Sequence, residues 1–462
     1  MNTHLTRLVF VCLLILSLSS VLFSHFVTVD YQENEPSTIG ELTFTIDQFF
    51  NFKKGHGPTA DISPLYYLVA NSLASLGLSY KEIRVLSVMA HALSVVALIW
   101  YLLPYASLAV CTLLSLILFF NPLLLFYATQ LRFWSLSTAF IVVSIGLLLG
   151  MERGRISERA RPWIWLLAFL SCATTLTSYT YFCVLAFIDG RAASKDRKSR
   201  VWILLIASVT LCLLLFKLIP ALRHRFVHRA IERPELFVLN TGYLTTMFSM
   251  YAMEFATIGT FLIATLVAVG AQRSMRQPIF SPVLTRLFWG AIATQLFFLF
   301  CASLPAKEIA SRYAMWTLFV FVVSVPEILN TIQKPLSKAL FVGLLITLLA
   351  WELVSTAWFV RYQDSMFQPW EATSREILRQ KDDLAGVCVY PKFIIDFLRY
   401  SSPPLDWTQW DGLVIPNCPD ESVQNYTIKL FWNDRAKIPP DRIFTRQSSR
   451  LHIENILSIS GK

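Results

Sequence analysis

Five carboxylates, Asp30, Glu33, Glu35, Glu41 and Asp47, crowd into the stretch TVDYQENEPSTIGELTFTID (28–47), although the first 150 residues hold only seven acids. Basic residues recur later in short polar segments. Arg132 closes NPLLLFYATQLR (121–132), and Arg223, Arg225, Arg229 and Arg233 stud RHRFVHRAIERPE (223–235). Lys307 and Arg312 occupy PAKEIASRY (305–313), which ends on Tyr313. A carboxylate beside an alcohol takes its proton as a general base. Arginine or lysine neutralises the charge that builds on a departing phosphate. Residues of these two kinds, brought together, would suit attack of a hydroxyl group beside a phosphate.

The elements that must position them are apolar. Hydrophobic residues make up 55% of the 462-residue chain and charged residues only 15%, against about 25% charged in ordinary soluble domains. Runs of roughly 18 or more apolar residues, each long enough to span a bilayer core, recur from Leu8 to about Val360. An α-helical polytopic membrane protein follows. The first run (Leu8 to Val27) exceeds the h-region of a secretory signal, and no small-x-small site follows it, so it reads as a retained signal-anchor. The net charge of +10 sits mostly in short loops, where membrane orientation explains it and a nucleic-acid partner does not.

The expected spans are 8–27, 83–103, 105–124, 133–150, a pair within 163–188, 201–219, 244–271, 286–304, 313–332 and 339–360. MERGRISERAR (151–161) carries four arginines and RAASKDRKSR (191–200) five basic residues, which places both on the cytoplasmic side. One full crossing between them would separate them. A hairpin of two short segments, turning at TTLTSYTY (174–181), keeps them together; backbone turning at membrane depth must be covered by protein or a water-filled cavity, so the hairpin implies a cavity. The result is about eleven segments with the N-terminus cytoplasmic. The first outer loop (28–82), segments 121–132, 223–235 and 305–313, and the tail then share the opposite face.

The sequence DISPLYYLVANSLASLGLSYKEIRVLSVMAHAL (61–93), preceded by the acidic stretch, resembles the first outer loop and second span of the C-type glycosyltransferases. The likeness is greatest to the polyprenyl- or dolichyl-phosphate-sugar-dependent family that includes protein mannosyltransferases and aminoarabinose transferases. In that family an acidic residue or Asp-Glu pair precedes a PPLYY-like segment by about thirty residues; here Glu35 lies 29 residues before Pro64-Leu65-Tyr66-Tyr67. NPLLLFYATQLRFWSLSTAF (121–140) is similar to the third outer element, read as Tyr-x-x-Glu-x-Arg, and SRYAMWTLFVFVVSVP (311–326) to the late Arg-Tyr motif. The chain departs from the pattern at Asn34-Glu35 (for the acidic pair), Ser63-Pro64 (for the doubled proline) and Gln130 (for a common Glu).

The resemblance implies transfer of a sugar from a polyprenyl-phosphate donor to a hydroxyl of a glycan, lipid or protein acceptor, with inversion at the anomeric carbon. It implies Glu35 as base, with Asp30 next by its place at the membrane surface, and Asp61, Tyr66, Arg132, Arg312 and Tyr313 as substrate contacts. Arg229 and Lys307 join them by charge. A divalent cation could bridge carboxylate and phosphate, as in some relatives; the eight cysteines give no metal spacing. Plainer readings stand beside these: acids at a helix start, arginines snorkelling at span ends, His25 and His91 buried and satisfied. A transporter or flippase of lipid-linked saccharides, or a glycan ligase or polymerase, remains an alternative. The setting expected is a bacterial inner membrane.

From Arg361 onward the character changes. WEATSREILRQKDDL (370–384) reads as helix, and GVCVYP (386–391) and TIKLFW (427–432) read as strands. A small α/β extracytoplasmic domain (361–462) is expected beside the transmembrane domain (1–360). Cys388 and Cys418 fall in it and would be free to pair in an oxidising compartment. Asn425-Tyr426-Thr427 forms a glycosylation sequon.

Overall fold

The computed structural model describes residues 3–27, 64–189, 201, 203, 205–210, 280–303, 315–361, 370–379, 387–390, 414–416, 428–432 and 451–455. In chain order the helices are α1 (Thr3–Phe26), α2 (Pro64–Ser75), α3 (Tyr80–Ile83), α4 (Val85–Leu102), α5 (Leu108–Phe119), α6 (Pro122–Ala128) and α7 (Trp134–Glu152). They continue with α8 (Arg161–Thr174), α9 (Tyr179–Asp189), α10 (Pro282–Ser303), α11 (Trp316–Thr331), α12 (Pro335–Arg361) and α13 (Trp370–Arg379). Among the described residues, four helices are long and apolar enough to cross a membrane, or five if one bent pair counts as a single span. The chain is therefore multi-pass. The expected spans 201–219 and 244–271 lie mostly or wholly outside the described residues.

Two compact units divide the chain. One comprises Met1–Phe23, Phe52–Val69 and Arg84–Thr356; the other comprises Ser24–Asn51, Ala70–Ile83 and Ala357–Lys462. In the first, α7 is the central helix, packed chiefly on α4 and α8. It is buried on every side, from Trp134 and Ser137 to Leu149 and Gly150, as a helix apolar all round should be. Close approach elsewhere uses small residues: a Cβ on Gly290 of α10 would come within 2.6 Å of Val184 Cγ1 on α9.

The stretch expected as one span at 105–124 is instead two helices, α5 and α6, bent by 62°. Apolar residues run straight through the break, which hides it. Pro122 has no N–H to continue the helix of α5, and Asn121 caps α6 by accepting the Leu124 N–H at 3.2 Å. The freed backbone of the bend is met from α12: Thr356 Oγ1 donates to the Phe120 carbonyl at 2.8 Å. Asn121 Nδ2 also donates to Glu352 Oε1 at 3.2 Å. Polar side chains thus hold an otherwise greasy helix against the break.

Helices α8 and α9 fold back on each other. Arg161 at the start of α8 pairs with Asp189 at the end of α9, Nη1 to Oδ1 at 3.2 Å, and Trp165 Nε1 donates to Asp189 Oδ2 at 2.8 Å. This is the hairpin that loop charge calls for. Its turn, through Thr175 and a 3-10 segment Leu176–Ser178, is covered by protein. Ser137 of α7 bonds Ser171 Oγ at 3.1 Å and Ser178 Oγ, and Thr174, Thr175 and Ser178 are buried.

His91 is buried, and its Nε2 lies 3.3 Å from the Phe119 carbonyl, a satisfied core side chain. His25, expected to be buried, is exposed, its ring edge-on to Phe26.

In the second unit, Ser79 and Glu82 form a capping box at α3. Glu82 Oε2 accepts the Ser79 N–H at 2.7 Å, and Ser79 Oγ accepts the Glu82 N–H at 3.3 Å. Gly77, at φ 94°, makes the turn before it in a conformation that disfavours side chains. A four-stranded sheet of β1 (Val387–Tyr390), β2 (Val414–Pro416), β3 (Ile428–Trp432) and β4 (Leu451–Asn455) has the order β2-β1-β3-β4. β1 is parallel to β2 and β3, and β4 runs antiparallel to β3.

Candidate functional site

Contacts sort the helix ends of the first unit into two sets. One set holds the C-terminal ends of α4, α7, α9 and α11 and the N-terminal ends of α8 and α10. Glu152 accepts the Val283 N–H and the Ser281 hydroxyl, both at 2.7 Å, Arg153 pairs with Glu327, and Arg286 Nη1 reaches the Ile188 carbonyl at 3.5 Å. This is the arginine-rich end that charge assigns to the cytoplasm.

The opposite set carries the N-terminal ends of α4, α7, α9 and α11. Trp316 Nε1 donates to Thr180 Oγ1 at 3.4 Å, and the Trp316 and Tyr181 rings meet edge-on at 5.4 Å. Here the two described candidates come together. Tyr66, wholly buried in the first turn of α2, presents its ring edge-on to Tyr67 at 5.7 Å and to Phe133 at 6.2 Å. Phe133 directly follows Arg132, so the PLYY segment seats itself on the turn between α6 and α7.

That turn is a tight one. The Arg132 N–H reaches the Gln130 carbonyl at 2.9 Å, and Ser87 of α4 donates its hydroxyl to the Arg132 carbonyl at 2.9 Å. The backbone of Arg132 is thereby held while its side chain stays half-buried. Gln130 is buried, and its Nε2 finds no hydrogen-bond partner among the described residues. A buried amide donor without an acceptor is costly, and it is a donor that an oxygen-rich ligand would satisfy. Phe133 and Trp134, 4.5 Å between centroids, and Tyr127, 6.2 Å from Trp134, add an aromatic wall.

Glu35, Asp30, Asp61, Arg229, Lys307, Arg312 and Tyr313 lie outside the described residues, as do Cys388 in its side chain and Cys418. Among the described residues no group of three or more His, Cys, Asp or Glu side chains is arranged to hold a metal ion.

Sequence reasoning passed over two groups at this end. Arg84, at the N-terminus of α4, is fully buried. Glu352 is fully buried in α12, with Asn121 as a partner. The signal was present for both: a charged residue inside or at the edge of an apolar segment is expensive and marks a site or a pairing.

No family model matches the chain, and no curated protein matches it. Among solved structures, ArnT from Cupriavidus metallidurans in the apo state is similar over 97% of this chain and 98% of that one, at 11% identity and a TM-score of 0.40.

Proposed function

We propose that this chain is a membrane glycosyltransferase, resident in a bacterial inner membrane, that transfers a sugar from a polyprenyl-phosphate donor to an acceptor hydroxyl on the extracytoplasmic face. A carboxylate of the first outer loop, Glu35 ahead of Asp30, takes the acceptor O–H proton. The acceptor oxygen bonds to the anomeric carbon as the bond from that carbon to the phosphate oxygen breaks. The electron pair leaves with the polyprenyl phosphate, whose charge Arg132, Arg312, Lys307 and Arg229 offset. Asp61, Tyr66 and Tyr313 shape the substrate cavity.

The observation that carries the reading is the packing of Tyr66 on Phe133. It joins two segments, 64–67 and 121–132, whose order and spacing resemble those of the lipid-phosphate-sugar family, and it does so at the end of the bundle away from the arginine-rich turn 151–161. The buried, donor-rich Gln130 and the backbone-anchored Arg132 fit a phosphate at that position.

The test is sugar transfer from a polyprenyl-phosphate donor by the purified protein and its Glu35→Ala, Asp30→Ala, Arg132→Ala and Arg312→Ala variants. Loss of a general base should slow turnover by about 10²–10⁴-fold. Normal turnover in all four would overturn the assignment. Translocation of a lipid-linked saccharide without covalent product, or transfer only from a pyrophosphate-linked oligosaccharide, would replace it with a flippase or a ligase.

A further inference from the structure

A pocket lies at the other end of the first unit. It has a volume of roughly 300 Å³ and is lined by Tyr101, Tyr105, Arg153, Pro326, Glu327 and Asn330. The last turn of α4, the α4–α5 connection, the residue just past α7 and the end of α11 build its walls.

The Tyr101 hydroxyl is buried and finds no hydrogen-bond acceptor among the described residues. Arg153 stacks over the Tyr105 ring at 4.0 Å and the Tyr101 ring at 5.4 Å, which fixes its guanidinium at the mouth. Arg155 lies 5.5 Å from the other partner in that stack, Tyr105, and 5.6 Å from Trp100. Its hydrogen bond goes to the Tyr101 carbonyl at 3.4 Å, and no carboxylate pairs with it among the described residues.

The nearby acids are already engaged. Glu327 accepts from Arg153 and from the Ser281 N–H at 3.1 Å, and Glu152 accepts from Ser281 and Val283. What remains is a buried hydroxyl donor and, on Arg155 beside the pocket, a guanidinium that no carboxylate pairs with among the described residues. The complement of that set is an oxyanion. Trp100 and Tyr105, partly exposed beside it, are aromatics of the type that settle at headgroup level.

We propose that this pocket binds the phosphate of an anionic lipid headgroup in the cytoplasmic leaflet. Basic pockets between membrane helices on that side are suited to such headgroups. Charge-assisted bonds from Arg153, Arg155 and the Tyr101 hydroxyl would supply the recognition. The inference rests on the membrane orientation and not on the transfer reaction, which takes place at the opposite end.

The test is lipid retention by the purified full-length protein, measured by native mass spectrometry with phosphatidylglycerol, phosphatidylcholine or inorganic phosphate added. The wild type should retain phosphatidylglycerol preferentially. Tyr101→Phe, which keeps the ring, and Arg155→Gln, which leaves the Arg153–Glu327 pair intact, should each weaken that retention about tenfold without changing phosphatidylcholine binding or the melting temperature. Equal retention of the two lipids by the wild type, or an unchanged preference in both variants, overturns the proposal. If inorganic phosphate binds through Tyr101 and Arg155 while phosphatidylglycerol does not, the headgroup is overturned as the source and a soluble phosphate takes its place.

Discussion

Arg161 and Asp189 stand at the two ends of a helical hairpin and meet in a buried ion pair, 3.2 Å between Nη1 and Oδ1, with Asp189 only 4% exposed in its side chain. The pair brings the start of α8 and the end of α9 to one level. It therefore holds the arginine-rich turn 151–161 and the end of α9 on the same side of the bundle. The indole of Trp165 completes the carboxylate's hydrogen bonding, which such a desolvated charge requires.

Removing one partner should be far worse than removing both. Asp189→Ala leaves Arg161 buried without its counter-charge, and we expect a loss of about 3–5 kcal/mol. An Arg161→Met, Asp189→Leu double variant should recover most of it. Thermal unfolding in detergent measures both. Single cysteines introduced at Ser157 and Ser194 should label from the same side of the membrane; labelling from opposite sides would break the hairpin topology.

Tyr66 separates packing from chemistry. Its ring is buried against Tyr67 and Phe133, so Tyr66→Ala should lower stability by about 3–5 kcal/mol. Tyr66→Phe retains the ring and should unfold within about 1 kcal/mol of the wild type. A fall in kcat/KM for the lipid-phosphate donor in Tyr66→Phe, with stability kept, would assign the hydroxyl to the substrate.

Arg132 should behave in the opposite way. Its backbone is anchored by Ser87 and its side chain is half-buried, so Arg132→Ala should change stability little. Loss of a fixed cation at a leaving phosphate typically costs 10²–10³ in rate, and steady-state transfer kinetics should show a drop of about that order. Gln130→Met, which removes the unpaired amide at nearly the same volume, should raise KM without lowering the melting temperature. A fall in melting temperature with unchanged KM would make Gln130 structural.

Asn121 serves both the α5–α6 bend and α12. Asn121→Ala removes the α6 cap, worth about 1 kcal/mol, and one partner of a buried carboxylate, worth about 1–3 kcal/mol more. Glu352→Gln keeps a hydrogen-bonding side chain of the same shape and should be milder. Chemical denaturation of the two variants side by side checks the ordering; equal losses would mean that the charge of Glu352 is what matters.

The helical bundle was legible because its two signals are local. Apolar runs mark the membrane segments, and clustered arginines mark one face, so even the hairpin at 174–181 could be read before any coordinates. The bend at Asn121-Pro122 was less legible: apolar residues continue through it, although Asn-Pro is itself a turn signal. Arg84 and Glu352 carried the plain mark of charge within apolar sequence. The partner of Glu352 did not show, because Asn121 lies 231 residues away along the chain.

The amino-acid order alone settled the solvent: a chain with apolar runs this long and this many, and with arginines clustered in the short segments between them, must lie in a bilayer. It also set which segments carry acids and which carry bases. Only the tertiary structure decided which of these segments touch, because pairing across helices depends on side-chain packing between distant residues. It seats Tyr66 on Phe133, closes Arg161 on Asp189, and collects Tyr101, Arg153 and Glu327 around one pocket. No local pattern encodes such meetings, since each partner is satisfied only by a neighbour supplied from elsewhere in the chain.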